Sequence, residues 1–245
     1  MTLPLRRREA PALERGGVSA HEPAHLGAFE MSGEAPLVRR IVVAMDGSPG
    51  ALAALAWTAR LARGWDAPVV AARVRVPAFV PPTEGGLPWW GLMRDAGRAV
   101  QDAMADLARA GVRATDHEAT GRIVTEMIRA VLLHEADLLA LGAARHPGAP
   151  NARLGHVAAQ LVAEAPCSVL LARRGPGLGP VVASGSRAEP YAKRLARRES
   201  LRYLPTREPL AAAAREAGAS LLVVEADAPG LRAALDASCS VLVVR

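Results

Sequence analysis

Asp46 is the residue of this chain best placed to do chemistry. It ends the apolar run Ile41-Val-Val-Ala-Met45 and opens the cluster Asp46-Gly47-Ser48-Pro49, after which a helical pattern starts at once. The run reads as a strand closed by a turn. Ser48 suits an N-cap and Pro49 the first helical position. A carboxylate carried on a strand's C-terminal end, facing a helix N-terminus, stands where open α/β sheets hold their ligands. Two roles fit it: a ribose or adenine ligand, or a turn residue capping its own loop. The strand-end position favours the first.

The other reactive residue types exclude more chemistry than they offer. There is no G-x-S-x-G and no H-E-x-x-H, so no enzymatic activity is expected. Lys193 is the sole lysine and lies in Tyr-Ala-Lys-Arg, so no Walker A phosphate loop exists. His146 and His156 have no Cys or carboxylate partner at ligand spacing and read as loop histidines, which leaves no metal site. His117 and His134 read as solvent-facing. Cys167 and Cys239 fall at matching places before two apolar runs. A redox pair across a pseudo-twofold axis is one reading; small buried hydrophobes is the favoured one.

Strands and helices must alternate to position Asp46. Strands are expected near 40–45, 68–76, 112–118, 137–142 and 167–172, and helices near 49–63, 93–110, 121–134 and 155–164. Alternation of this kind implies parallel pairing through right-handed crossovers. Hydrophobic residues are 51% of the 245 and aromatics 3%, so the core must be built from Ala, Val and Leu. Residues 1–37, rich in Pro, Gly, Arg and Glu, read as a disordered or loosely attached tail. Arg6-Arg7-Arg8 has no apolar segment behind it, and no run approaches the roughly 18 apolar residues of a membrane span, so a cytoplasmic location is expected.

Gly175-Pro-Gly-Leu-Gly-Pro180 punctuates the chain as a linker, and the residues after it form a shortened copy of those before it. Ala136-Asp-Leu-Leu-Ala-Leu-Gly142 matches Ala219-Ser-Leu-Leu-Val-Val-Glu225, and Ala165-Pro-Cys-Ser-Val-Leu-Leu171 matches Ala237-Ser-Cys-Ser-Val-Leu-Val243. Val181-Val-Ala-Ser-Gly-Ser186 echoes Val42-Val-Ala-Met-Asp-Gly-Ser48 without the aspartate. Gly142 to Cys167 is 25 residues and Glu225 to Cys239 is 14, so the second copy lacks 11 residues where the first has a glycine-bearing loop.

The order and spacing of Val42–Ser48, Gly121, Ala136–Gly142 and Gly155 through Ala165–Arg173 resemble the universal stress protein family. The likeness divides the chain into the tail 1–37, a full domain over 38–174, the linker 175–180 and a degenerate repeat over 181–245. It implies an α/β fold: an open parallel five-stranded sheet with helices on both faces, adenine nucleotide alpha hydrolase-like, followed by a truncated α/β repeat. It also implies subunits that pair their last strands, so the segments near 168–172 and 240–244 are expected to pair within this chain as a pseudo-dimer.

One branch of that family binds ATP through Gly, two residues, Gly, nine residues, Gly, then Ser or Thr. Backbone N–H groups at such a loop and helix N-terminus approach phosphates. Here Gly142 and Gly155 hold the first and third glycine places, while Arg145 replaces the second and His156 the hydroxyl residue. Arg145 either clamps phosphates or blocks their approach. His156 donates only when protonated. On the adenosine side the likeness implies Asp46, a backbone contact at Val74, and Ala44 in the same crevice. Val157 completes the implied nucleotide site.

Two readings stand. One is a stress-response protein sensing ATP or a related nucleotide. The other is a scaffold without a nucleotide, acting through protein contacts at Trp89-Trp90, read as part of a Pro/Gly/Trp loop, or at Arg187–Arg207. That stretch holds seven basic and two acidic residues. It lacks interleaved aromatics beyond Tyr191 and Tyr203, so a solvated helix face is favoured over nucleic-acid binding.

Overall fold

The computed structural model describes residues 36–76, 89–143, 154–206 and 209–245. Most of the N-terminal tail, the loop after residue 76 and the loop holding Arg145 and His146 lie outside the described residues. In chain order the elements are β1 (Ile41–Ala44), α1 (Pro49–Trp65), β2 (Val69–Arg75), α2 (Trp89–Arg109), β3 (Ala114–Thr120), α3 (Ile123–Leu133), β4 (Leu138–Gly142), α4 (His156–Glu164) and β5 (Ser168–Ala172). They continue with β6 (Val181–Ala183), α5 (Ala188–Arg198), β7 (Tyr203–Pro205), α6 (Leu210–Glu216), β8 (Leu221–Glu225), α7 (Ala228–Asp236) and β9 (Ser240–Val244).

The strands form one nine-stranded sheet in the order β3-β2-β1-β4-β5-β9-β8-β6-β7. The first five run parallel to one another, as expected, and so do the last four. The two sets meet at a single antiparallel joint, with Val169 opposite Val243, Leu170 opposite Leu242 and Leu171 opposite Val241. This is the pairing of final strands anticipated from the matched Cys-Ser-Val-Leu segments. It leaves neither β5 nor β9 as an open edge.

Both faces are covered, which is why the central strands are continuous apolar runs rather than alternating ones. Ile41, Val43, Leu138 and Ala140 pack under α1, α2 and α5. Val42, Leu139, Leu141 and Val169 pack under α3, α4, α6 and α7. One of the few aromatic residues sits at the joint. Trp57 on α1 is fully buried, and its indole N–H donates to the Arg174 carbonyl (2.9 Å) and to Ser240 Oγ (3.1 Å) on β9.

Two arginines cross the joint reciprocally. Arg173, just after β5, donates from Nη2 to the Ala234 (2.6 Å) and Leu235 (3.2 Å) carbonyls at the end of α7. Arg245, just after β9, donates to the Val162 carbonyl and to that of Ala163 (3.0 Å) at the end of α4. Each satisfies orphan carbonyls of a helix C-terminus, where a cation also meets the favourable end of the dipole. The same exchange repeats at the serines: Arg173 N–H donates to Ser240 Oγ (3.2 Å), and Arg245 N–H donates to Ser168 Oγ (3.4 Å).

The strand register answers the cysteine question. Cys167 precedes β5 and Cys239 precedes β9, so they lie at opposite ends of the antiparallel joint, roughly 20 Å apart at about 3.3 Å per residue. Both are buried and free, and burial pushes the Cys167 thiol up to about 11. They are small core residues.

Several expectations need correction. Trp89 and Trp90 are the first residues of α2, not part of a loop. Gly121 does not open α3: it sits ahead of the helix at φ +156°, a backbone state that favours glycine, and Arg122 holds the N-cap place. His117 and His134 are half-buried and also meet each other, with Nδ1 and Nε2 3.2 Å apart. Strand β3 brings one ring and the C-cap of α3 the other. The shortening of the second half also goes further than the missing loop. Between β7 and β8 the chain uses only α6, so no counterpart of β3 stands beyond β7 among the described residues.

Candidate ligand crevice

Hydrogen bonding holds the first turn of the site. Ser48 caps α1 by accepting from the Ala51 N–H (3.1 Å), with Pro49 beginning the helix. Gly47, at φ +79°, makes the bend between strand and helix. Asp46 Oδ1 accepts from the Ser48 N–H at 2.9 Å, an Asx turn. The ligand and turn roles of Asp46 therefore coexist: one oxygen braces the loop, and the exposed side chain also lines a cavity.

That cavity, of about 430 Å³, opens at the C-terminal ends of β1, β2 and β4. Its wall includes Ala44, Asp46, Val74, Gly142, Gly155 and Val157, six of the residues singled out from the sequence. His156 is not in the wall; as the first residue of α4 it is exposed to solvent. Arg145 lies outside the described residues.

The two glycines are there for different reasons. A Cβ on Gly142 would lie 2.3 Å from the Gly50 carbonyl carbon and 2.6 Å from the Ala51 nitrogen, so β4 ends in backbone contact with the start of α1. Gly142 is fixed by packing. A Cβ on Gly155 would meet nothing within 4 Å, so here the missing side chain keeps open space at the mouth of α4.

Two arginines missed in the sequence complete the wall. Arg73 and Arg75 on β2 both line the cavity. Glu118, opposite Arg73 on β3, pairs with each of them, through Arg73 Nη2 (2.8 Å) and Arg75 Nε (2.5 Å). One carboxylate against two guanidiniums leaves a net positive charge. Arg73 is largely buried, and its Nε–H has no acceptor among the described residues. A buried donor without a partner is costly and rare. The signal was present as Arg73-Val-Arg75, a charge alternation at the end of an otherwise apolar strand.

The chemistry of the wall divides. The N-termini of α1 and α4 both reach it, through Ser48 and Ala51 and through Gly155 and Val157. The α4 start has no side-chain cap, and each helix brings the positive end of its dipole, a setting that favours anions. Ile123, Met127, Val74 and Val157 give an apolar side. Such a combination suits a ligand with a flat apolar part and an anionic part.

The second half shows what the same position looks like when filled. Glu225 ends β8 where Gly142 ends β4. Its Oε1 accepts from the Arg187 N–H (2.8 Å) and from Ser186 Oγ (3.4 Å), beside Gly185 at φ +113°. The chain's own carboxylate thus occupies the start of α5. The shortened connection then seats α7 directly on the strand end, where a Cβ on Gly230 would come within 2.0 Å of the Glu225 carbonyl oxygen. Among the described residues, only the first half keeps an open notch at this strand end.

Among the described residues no cluster of three His, Cys, Asp or Glu could hold a metal ion, and no helix is long and apolar enough to cross a membrane. Comparison with known proteins gives one family. The universal stress protein family matches residues 38–173. No curated protein sequence matches the chain. Among solved structures, a universal stress protein from Archaeoglobus fulgidus DSM 4304 is similar at 12% identity, over 84% of this chain and 98% of that one, with a TM-score of 0.63. A member from Burkholderia pseudomallei is 26% identical over 53% of this chain and 92% of its own, with a TM-score of 0.43. An Arabidopsis thaliana member, solved with AMP bound, is 21% identical over 56% of this chain and 92% of its own, with a TM-score of 0.41.

Proposed function

The chain belongs to the universal stress protein family, and from that premise we propose that it is a stress-response protein whose first half binds an adenine nucleotide, ATP or a relative, in the strand-end crevice. The observation that carries this reading is the wall itself: Asp46 beside two helix N-termini, an apolar flank and the arginines Arg73 and Arg75.

In this reading phosphates lie toward Gly155 and the two helix N-termini, where N–H groups and dipoles stabilise them. Asp46 accepts from ribose hydroxyls with the carboxylate oxygen that Ser48 does not use. The base lies along Ile123, Met127 and Val74. His156 takes no part in binding. The protein binds rather than transforms the nucleotide. The second half is a degenerate repeat that closes the sheet edge of the first and holds no ligand, because Glu225 and Gly230 fill its notch.

A mass spectrum of small molecules released on denaturing the freshly purified protein tests this. A co-purified adenine nucleotide, lost in Arg73→Gln with its fold retained, is the expected result. Absence of nucleotide, together with no change in melting on adding ATP, AMP or cAMP, would favour a scaffold working through protein contacts.

A further inference from the structure

A second cavity, of about 370 Å³, lies on the joint itself, where the chain leaves β5, crosses as residues 174–179 and passes the starts of β8 and β9. We propose that it binds a small phosphate-bearing molecule, held by Arg174 and Arg215. This site is separate from the crevice and does not depend on the reading given for it.

Charge is the first argument. Arg174 and Arg215 line the cavity, both are exposed, and neither side chain makes an ion pair among the described residues. No Asp or Glu is in the wall. Two unneutralised guanidiniums lining one hollow form a receptor for an oxyanion, because their planar N–H forks match phosphate geometry.

The second argument is that the cavity is built, not a gap under a loose loop. A Cβ on Gly179 would fall 2.4 Å from the Gly218 carbonyl oxygen and 2.9 Å from the Ser220 nitrogen, so the linker lies in backbone contact with the turn into β8. Ser220 Oγ locks that contact by donating to the Gly179 carbonyl at 2.7 Å. The Arg174 carbonyl is held from the other side by Trp57 Nε1 and Ser240 Oγ. Ser238, half-buried at the rim, adds a hydroxyl donor. The volume falls in the range of small-molecule sites.

Calorimetric titration of the full chain with pyrophosphate, against chloride at matched ionic strength, tests the proposal. Wild-type protein is expected to bind pyrophosphate and to melt at a higher temperature in its presence. Arg174→Gln and Arg215→Gln should each weaken binding about tenfold, and the double variant should lose both the heat and the melting shift. Both side chains are exposed, so these variants keep the fold. Ser238→Asp, which puts a carboxylate into the wall, should abolish binding as well. No heat with wild type, or heat that survives unchanged in the double variant, overturns the proposal.

Discussion

Replacing Gly142 and Gly155 by alanine separates a glycine kept by packing from one kept by access. In Gly142→Ala the new methyl would sit 2.3 Å from one backbone atom of Gly50 and 2.6 Å from another of Ala51. No flexible side chain can move aside, so α1 or the end of β4 must shift. Overpacking costs about 1–3 kcal/mol, and contact with rigid backbone places this case near the upper end, about 2–3 kcal/mol. For a folded unit of this size each kcal/mol moves Tm by roughly 2–4 °C, so the expected fall is about 4–12 °C by calorimetry or circular dichroism. In Gly155→Ala the methyl meets nothing within 4 Å and the backbone is at an ordinary φ of −59°. Only the N-cap preference of glycine over alanine is lost, about 0.5–1 kcal/mol. Tm should fall by no more than about 1–4 °C, while nucleotide affinity falls because the methyl narrows the approach to α4. A Gly142→Ala protein as stable as wild type, or a Gly155→Ala protein as damaged as Gly142→Ala, would refute this division.

The joint and the histidine pair give two more expected outcomes. Arg173→Ala and Arg245→Ala should each lower stability in urea by about 1 kcal/mol through lost bonds to helix-end carbonyls. They act at opposite ends of the β5–β9 pair, so the losses should add; a double variant equal to either single one would contradict the reciprocal arrangement. Burial first, then the His117 and Arg40 charges, hold His134 below its ordinary value. The neutral ring is thus favoured by folding, its contribution is complete above about pH 6.5, and it is lost as pH falls below that. Tm should drop between pH 7.5 and 5.5, and His134→Gln should reduce the drop; an equal drop in that variant would assign the effect elsewhere.

The sequence showed most of the fold because its signals were local. The apolar run ending in Asp46-Gly47-Ser48-Pro49 needs only a strand, a turn and a capped helix, and it forms all three. The joint was legible from the repeated Cys-Ser-Val-Leu segments. What the sequence hid depends on contacts between distant residues. Glu118 turning Arg73 and Arg75 into a paired cluster spans two strands, and nothing near Arg73 in the chain announces it. Gly142 was read as a phosphate-approach glycine, but its neighbour is the start of α1, nearly a hundred residues earlier in the chain. The exposure of His156 was equally hidden, since the direction of the first residue of α4 depends on where Leu154 anchors the preceding chain in the core. Glu225 ends β8 as Gly142 ends β4, so that clue to the filled notch was in plain view.

Calorimetric titration of ATP into wild-type protein and into Asp46→Ala tests the central claim most directly. Asp46 is exposed and its loop keeps Gly47 and the Ser48 cap, so the variant should fold with at most the loss of one loop hydrogen bond, about 1 kcal/mol. The account expects saturable one-to-one binding by the wild type and affinity at least about tenfold weaker in the variant. Identical isotherms, or no binding by either protein, would contradict it.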